Sequence, residues 1–252
     1  MRGALILLAL GLAAGCSTAG RTGGRAAESP QVAGYATAVA EWQAGQQPGS
    51  LSAADRAVMD KAAADLAAAM PSPGLKVGDV APDFSLPDAE GRTVTLYHEL
   101  ARGPVVLVFF RGAWCPYCNM HLRVLRDSAP AFRQYGAQLL AVTPQTQDKS
   151  RGQIEKEGLE FEVLSDLDSS TAKAYGLYFR VADELSDLYK ARFGLDLADY
   201  NGPGRYELPV PAVFVIDQGG IIRAAFADTD YKKRMEPADI VRALDEISEA
   251  RR

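Results

Sequence analysis

The chain is poor in the two residue types on which most thiol and metal sites depend: among 252 residues there are three cysteines (Cys16, Cys115, Cys118) and two histidines (His98, His121). Three thiols cannot form the disulfide framework of a small secreted scaffold, and at this length a hydrophobic core needs no such staple. Zinc requires four ligands, yet only His121 lies at useful spacing from the cysteine pair, and no histidine follows it that copper delivery would use; no metal and no other cofactor is expected. A block of basic residues is missing too. With 27 Lys and Arg against 32 Asp and Glu, for a net charge of −5, the chain lacks the clustered positive face that neutralises phosphates, which excludes nucleic acid as a partner. Internal repeats are absent. What remains is an ordinary globular composition, 48% hydrophobic and 23% charged.

The N-terminus reads as a targeting segment. Arg2 precedes an apolar run from Ala4 to Ala14, followed by Gly15 and Cys16, and the run is too short for the ~20 residues that span a bilayer. Leu12-Ala13-Ala14-Gly15-Cys16 resembles the lipobox of bacterial lipoproteins, in which the cysteine is diacylated and becomes the first mature residue. That resemblance implies a signal peptide over 1–15, a lipid anchor on Cys16 and a place in the cell envelope facing the periplasm. Ser17 and Thr18 follow without an aspartate, so the resemblance favours the outer membrane. A plain secretory signal with a coincidental cysteine is the alternative.

Residues 16–50 are rich in Gly, Ala, Ser, Thr and Gln and bury too little apolar surface to offset their ordering entropy; they read as a flexible tether with a short helix at Ala36 to Ala44. Residues 51–74 form an Ala-rich helical arm and linker. Its N-cap is Ser52, with Asp55 three residues on, and Pro71 and Pro73 stop it. From residue 75 to 252 strand and helix patterns alternate, the signature of a mostly parallel α/β sheet. Strands are expected at Val105–Phe110, Leu139–Val142, Phe161–Leu164, Val213–Ile216 and Ile221–Phe226, the last two joined in a hairpin by Gln218, Gly219 and Gly220. A closing helix begins near Glu236 and Pro237.

The chemistry concentrates in Phe110-Arg111-Gly112-Ala113-Trp114-Cys115-Pro116-Tyr117-Cys118, where a buried strand turns into a helix. A C-x-x-C at a helix start puts its sulfurs near unpaired N–H groups and the positive end of the macrodipole, which lowers a thiol pKa from about 8.5 toward roughly 3.5 to 7.5. The spacing also permits a disulfide. Arg111 stands beside the pair, either favouring a thiolate or sulfenate or serving as a solvated strand-end residue. Trp114 and Tyr117 shape the rim or simply pack. His121, one turn beyond Cys118, reads as a helix-surface residue or a proton carrier. Tyr178 to Tyr206 form an aromatic and Asp-rich insertion that covers the site or offers a partner surface, and the Asp228 to Pro237 run reads as a turn.

Gly78-Asp79-Val80-Ala81-Pro82-Asp83-Phe84, the cysteine segment, and Leu208-Pro209-Val210-Pro211-Ala212 with Phe214-Val215-Ile216-Asp217 resemble the peroxiredoxin-like branch of the alkyl hydroperoxide reductase and thiol-specific antioxidant (AhpC/TSA) family, across roughly Lys76 to Ile247. The resemblance implies a thioredoxin fold of peroxiredoxin type: a central mixed sheet flanked by helices, here with the N-terminal tether and Ala-rich helix in addition. It assigns the peroxidatic cysteine to Cys118, and it matches the family's threonine to Cys115, its shielding proline to Arg111 and its guanidinium to Pro211. In thioredoxins the proline equivalent to Pro211 is cis and lies against the disulfide, and a Val-Pro bond tolerates that form.

Two enzymatic readings follow, both using Cys115 and Cys118. In the first, a thiol peroxidase reduces hydroperoxides through a sulfenic acid that resolves to a Cys115–Cys118 disulfide, and a thioredoxin-like or other dithiol donor restores it. In the second, an envelope thiol-disulfide oxidoreductase attacks protein disulfides with Cys115, exposed at the helix tip. A third reading, from another class, is a noncatalytic binding lipoprotein.

Overall fold

The computed structural model describes residues 34–46, 51–250 and 252. The lipobox and its Cys16 lie outside the described residues. In chain order the elements are α1 (Tyr35–Ala44), α2 (Ala53–Ala69), β1 (Ser85–Pro87), β2 (Thr93–Thr95), α3 (Leu96–Leu100), β3 (Val105–Phe109), α4 (Pro116–Arg133), β4 (Gln138–Thr143) and α5 (Gln147–Glu157). There follow β5 (Glu162–Ser165), α6 (Ser170–Ala174), β6 (Tyr178–Arg180), α7 (Asp183–Phe193), α8 (Ala198–Asn201), β7 (Glu207–Pro209), β8 (Ala212–Ile216), β9 (Ile222–Ala227) and α9 (Pro237–Glu249). Among the described residues no helix is long and apolar enough to cross a membrane.

The central sheet has the order β5-β4-β3-β8-β9. Strand β3 pairs parallel with β4, and β4 with β5, but β3–β8 and β8–β9 are antiparallel. The sheet is therefore mixed, as the family resemblance implies: β8 runs antiparallel to β3, and the Asp217–Gly220 turn returns β9 antiparallel alongside β8, the hairpin expected from the sequence. All five residues of β3 and all five of β8 are buried, as a central strand covered on both faces requires.

Alternation assigns each side chain to a face. Val106, Val108, Val213 and Val215 meet Leu122 and Leu125 of α4 and Ile240 and Leu244 of α9. Leu107, Phe109, Phe214 and Ile216 meet Leu96, Leu100, Tyr175 and Leu177 on the other side. Helix α4 thus lies flat on one face, and its N-terminus emerges where β3 ends.

The two N-terminal helices dock on the domain. The capping box of α2 is formed as its sequence predicts, with Ser52 Oγ accepting from Asp55 N at 3.0 Å and the Asp55 carboxylate accepting from Ser52 N at 3.2 Å. Asp55 also pairs with Arg192 of α7 at 3.0 Å, joining the Ala-rich helix to the 178–206 insertion. Helix α1, expected as a short helix within a tether, instead packs on α4: Tyr35 is buried against Met120 and Val124, and Trp42 lies edge-on to Tyr117 with ring centroids 5.3 Å apart. Two large aromatic side chains give this ten-residue helix an apolar anchor that the surrounding composition conceals.

Candidate active site

The strand-to-helix turn is built by glycine and by side-chain staples. Gly112 has φ +147°, and a Cβ there would stand 2.6 Å from Trp114 Nε1, so only glycine lets the indole fold back over the loop. Ala113 N donates to Gln145 Oε1 at 3.0 Å, and Ala113 O accepts from Asn119 Nδ2 at 2.7 Å. Gln153 Nε2 donates to Asn119 Oδ1 at 2.7 Å, and Gln145 Nε2 donates to Gln153 Oε1 at 2.8 Å. This buried amide network ties the loop to α4 and α5, so the turn is fixed before any ligand arrives.

Cys115 is the N-cap of α4, Pro116 opens the first turn and Cys118 lies within it; both thiols are free and buried. Their environments differ. Burial works against a thiolate at Cys118, but it is outweighed by the Cys115 thiol donating to its sulfur, by the Arg234 and Arg111 guanidiniums and by the Arg111 main-chain N–H; together they push Cys118 down to about 5. Cys115 moves the other way. Burial raises it first, and donating to an anionic neighbour raises it further, so Cys115 keeps its proton. The thioredoxin-type expectation of an exposed, low-pKa Cys115 does not hold here: both residues are buried, and although both guanidiniums act on each sulfur, it is Cys118 that accepts from the Cys115 thiol and from Arg234.

Arg234 is the residue that sequence reasoning missed. The Asp228 to Pro237 run was expected to be a simple turn, yet it brings Arg234 Nη2 to 3.5 Å from Cys118 Sγ. The same arginine donates to the carbonyls of Tyr231 and Lys233, the latter at 2.7 Å, which curls it inward. The resemblance matches the family's guanidinium to Pro211; here a guanidinium reaches the sulfur from the Asp228 to Pro237 segment.

Arg111 is buried rather than solvated. Its guanidinium is sandwiched between Trp114 at 4.7 Å and Tyr231 at 4.4 Å and donates to Tyr189 Oη at 3.0 Å. Burial disfavours its charge, but the surrounding Tyr189, Cys115 and Cys118 raise its pKa overall. Its Nε and the Trp114 Nε1 lack hydrogen-bond partners. Tyr189 belongs to α7, so the insertion does cover the site.

Two further expectations are corrected. His121 is buried instead of lying on the helix surface, packed edge-on to Tyr35 at 5.3 Å; burial, then the Arg234 charge, lower its pKa well below the usual value, which keeps the ring neutral and unsuited to ferrying protons from solvent. The Val210–Pro211 bond is trans, since no cis peptide occurs among the described residues. Val210 N donates to Leu177 O at 2.7 Å as the chain leaves β7 for β8.

A cavity of about 460 Å³ opens onto Trp114, Cys115, Tyr117, Tyr189 and Tyr231. Arg111, Tyr189 and Tyr231 separate it from a second cavity of about 370 Å³ roofed by Met59, Ala62 and Leu66 of α2. Both are of a size that takes small organic molecules.

A dithiol capping the helix that follows a central strand, within a β5-β4-β3-β8-β9 mixed sheet, defines a thioredoxin-fold thiol protein. The chain belongs to the AhpC/TSA family, whose model it matches over residues 77–225, more than half its length. It is 34% identical over 104 residues to peroxiredoxin Bcp of Escherichia coli (strain K12), an alignment covering 41% of this chain and 66% of that protein, just under two thirds of its length. Among solved structures, peroxidoxin BcpB from Mycobacterium tuberculosis aligns with a TM-score of 0.53 and 25% identity, over 69% of this chain and 98% of that one. Peroxiredoxin 6 of Arenicola marina shares the fold with a TM-score of 0.55 at 15% identity, over 71% of this chain and 76% of that one. Helices α1 and α2 and residue Arg234 all lie outside the family-matched segment.

Proposed function

We propose that this protein is a thiol-dependent peroxidase in which Cys118 attacks a hydroperoxide and Cys115 resolves the product. The observation that carries the reading is the asymmetry of the pair: Cys118 sulfur accepts from Arg234 Nη2 at 3.5 Å and from the Cys115 thiol, which by donating keeps its proton. The Cys118 thiolate displaces on the distal oxygen; an S–O bond forms, the O–O bond breaks, and the leaving alkoxide takes a proton to become an alcohol. Cys115 sulfur then attacks the sulfenic sulfur, an S–S bond forms and water leaves. A thioredoxin-like or other external dithiol reduces the Cys115–Cys118 disulfide by exchange, itself becoming oxidised. The balance is one hydroperoxide and two thiols consumed for one alcohol, one water and one disulfide. Relatives named as peroxiredoxins support this reading.

A second reading has one observation in its favour: Cys115, not Cys118, lines the larger cavity, so a protein disulfide approaching through it would meet Cys115 first. Stopped-flow oxidation of the reduced protein by hydrogen peroxide, run beside reduction of insulin disulfides, separates the two. We expect rapid oxidation by peroxide with little insulin reduction; the reverse pattern would establish disulfide exchange instead.

The lipobox-like Leu12–Cys16 segment supports export and anchoring to a bacterial membrane, the outer membrane first, with the domain in the periplasm. Labelled palmitate should enter the wild-type protein and not Cys16→Ser. Equal labelling of both would leave a plain secretory signal.

A further inference from the structure

Helix α1 holds the segment that carries Arg234 at two points, one on each side of that residue. Tyr35 Oη donates to Lys232 O at 2.7 Å. The first two main-chain N–H groups of α1, at Tyr35 and Ala36, donate to the two oxygens of the Glu236 carboxylate at 2.7 and 2.9 Å. Lys232 and Glu236 stand two residues before and two after Arg234, so the clamp brackets the guanidinium. A third brace runs through aromatic rings: Trp42 of α1 lies edge-on to Tyr117, and Tyr117 edge-on to Tyr231 at 5.6 Å, the ring that also covers Arg111.

We propose that α1 is a positioning element for the reactive thiolate: Tyr35 and Glu236 fix the Lys232–Glu236 segment so that Arg234 reaches Cys118. The physical case is one of geometry and distance. An arginine side chain gives up much rotamer freedom when held in place, so a loop free to shift would let it swing to solvent. Glu236 is the residue preceding the first turn of α9, and its carboxylate is held at the N-terminal end of α1 as well, so one side chain joins two helices. The groups that set the charge at Cys118 are Cys115 and Arg111 from the turn and Arg234 from the segment. His121 and Tyr35, which pack edge-on to each other, form the wall behind, and the Arg234 charge acts on both. Neither Tyr35 nor Glu236 lies within residues 77–225, the segment that the family model matches.

The proposal rests on Cys118 as the reactive thiolate, and its test needs no peroxide. Iodoacetamide alkylation of Cys118 in the full chain, resolved by peptide mass spectrometry from Cys16 and Cys115, is followed against pH for the wild type, Tyr35→Phe/Glu236→Ala, Arg234→Met and the triple variant. We expect the double variant to move the Cys118 midpoint upward by about one pH unit or more, an approximately tenfold loss of thiolate below both midpoints. The triple variant should match Arg234→Met alone, because one effect acts through the other. A midpoint unchanged in the double variant, or effects that add in the triple, would overturn the proposal. If Glu236→Ala does not fold, Tyr35→Phe/Glu236→Gln carries the same comparison, since it removes the hydroxyl and the charge while keeping size. A chain that alkylates as expected but ignores hydroperoxides would sink the peroxidase reading and leave this inference standing.

Discussion

Replacing Cys118 by serine is expected to lower hydroperoxide turnover by at least about a thousandfold, as removal of a nucleophile does elsewhere. Cys115→Ser should instead still react once and stop. In that variant peroxide converts Cys118 to a sulfenic acid with no neighbouring thiol to condense with, and a dimedone-type probe should trap it there. The rate of that first step should fall, because the donating Cys115 thiol is part of what holds Cys118 anionic; a serine hydroxyl donates in its place and restores some of the effect. Above a pH of about 5 the wild-type Cys118 is mostly thiolate, so the peroxide reaction should vary little between pH 6 and 8 and fall as pH drops through the folded pKa. A sulfenic acid trapped on Cys115 in Cys118→Ser, with none on Cys118 in Cys115→Ser, would reverse the assignment.

The parts of this molecule that a reader can take from the sequence are those written in local pattern. Val105 to Phe110 is a buried strand because nothing in it is polar, and the cysteine pair follows it directly, so the strand, the helix start and the dithiol all lie within one short stretch. The Ser52 and Asp55 capping box is local in the same way. Arg234 is not. It lies 116 residues from Cys118 and meets it only because β9 and α9 bring the connecting segment under the sheet's end, and no periodicity marks an arginine in a run of charged residues as pointing inward. The amide network of Asn119, Gln145 and Gln153 is hidden for a similar reason: pattern reports burial of apolar side chains, not the partners that make buried amides tolerable. The ribbons β1–β2 and β6–β7 are three residues per strand, too short for a period of two to show. His121 reads as a helix-surface residue because the partner that buries it, Tyr35 of α1, lies 86 residues away in the sequence.

Arg111→Met is expected to separate activity from stability. The guanidinium is buried, its Nε has no hydrogen-bond partner, and among the described residues no carboxylate pairs with it; the same is true of pairing for Arg234, so the Cys118 thiolate is the counter-charge the two arginines share. Keeping such a cation out of water costs several kcal/mol. Against that, two aromatic faces return roughly 0.5 to 2 kcal/mol each and one hydrogen bond to Tyr189 about 1 kcal/mol or somewhat more. Methionine fills much of the volume, keeps contact with the rings and carries no desolvation cost. We therefore expect the melting temperature of Arg111→Met to equal or exceed that of the wild type. Its peroxide rate constant near pH 7 should fall by about ten- to a hundredfold, because losing one of two cations raises the Cys118 pKa and leaves the developing alkoxide less stabilised. The redox equilibrium should move with it. Reduction of the disulfide regenerates the thiolate that both guanidiniums stabilise, so the wild-type couple is expected to be an oxidising one. Removing Arg111 weakens the reduced form and should lower the potential by about 30 mV for each tenfold change in the equilibrium constant. Titration against glutathione or dithiothreitol buffers, with thermal melts of the reduced and oxidised forms, reads both quantities. The disulfide form, in which the counter-charge is gone, should gain more stability from the substitution than the reduced form does. An Arg111→Met protein that melts well below the wild type in both redox states, with its potential unchanged, would mean that the arginine serves the packing of Trp114 and Tyr231 and not the charge on sulfur.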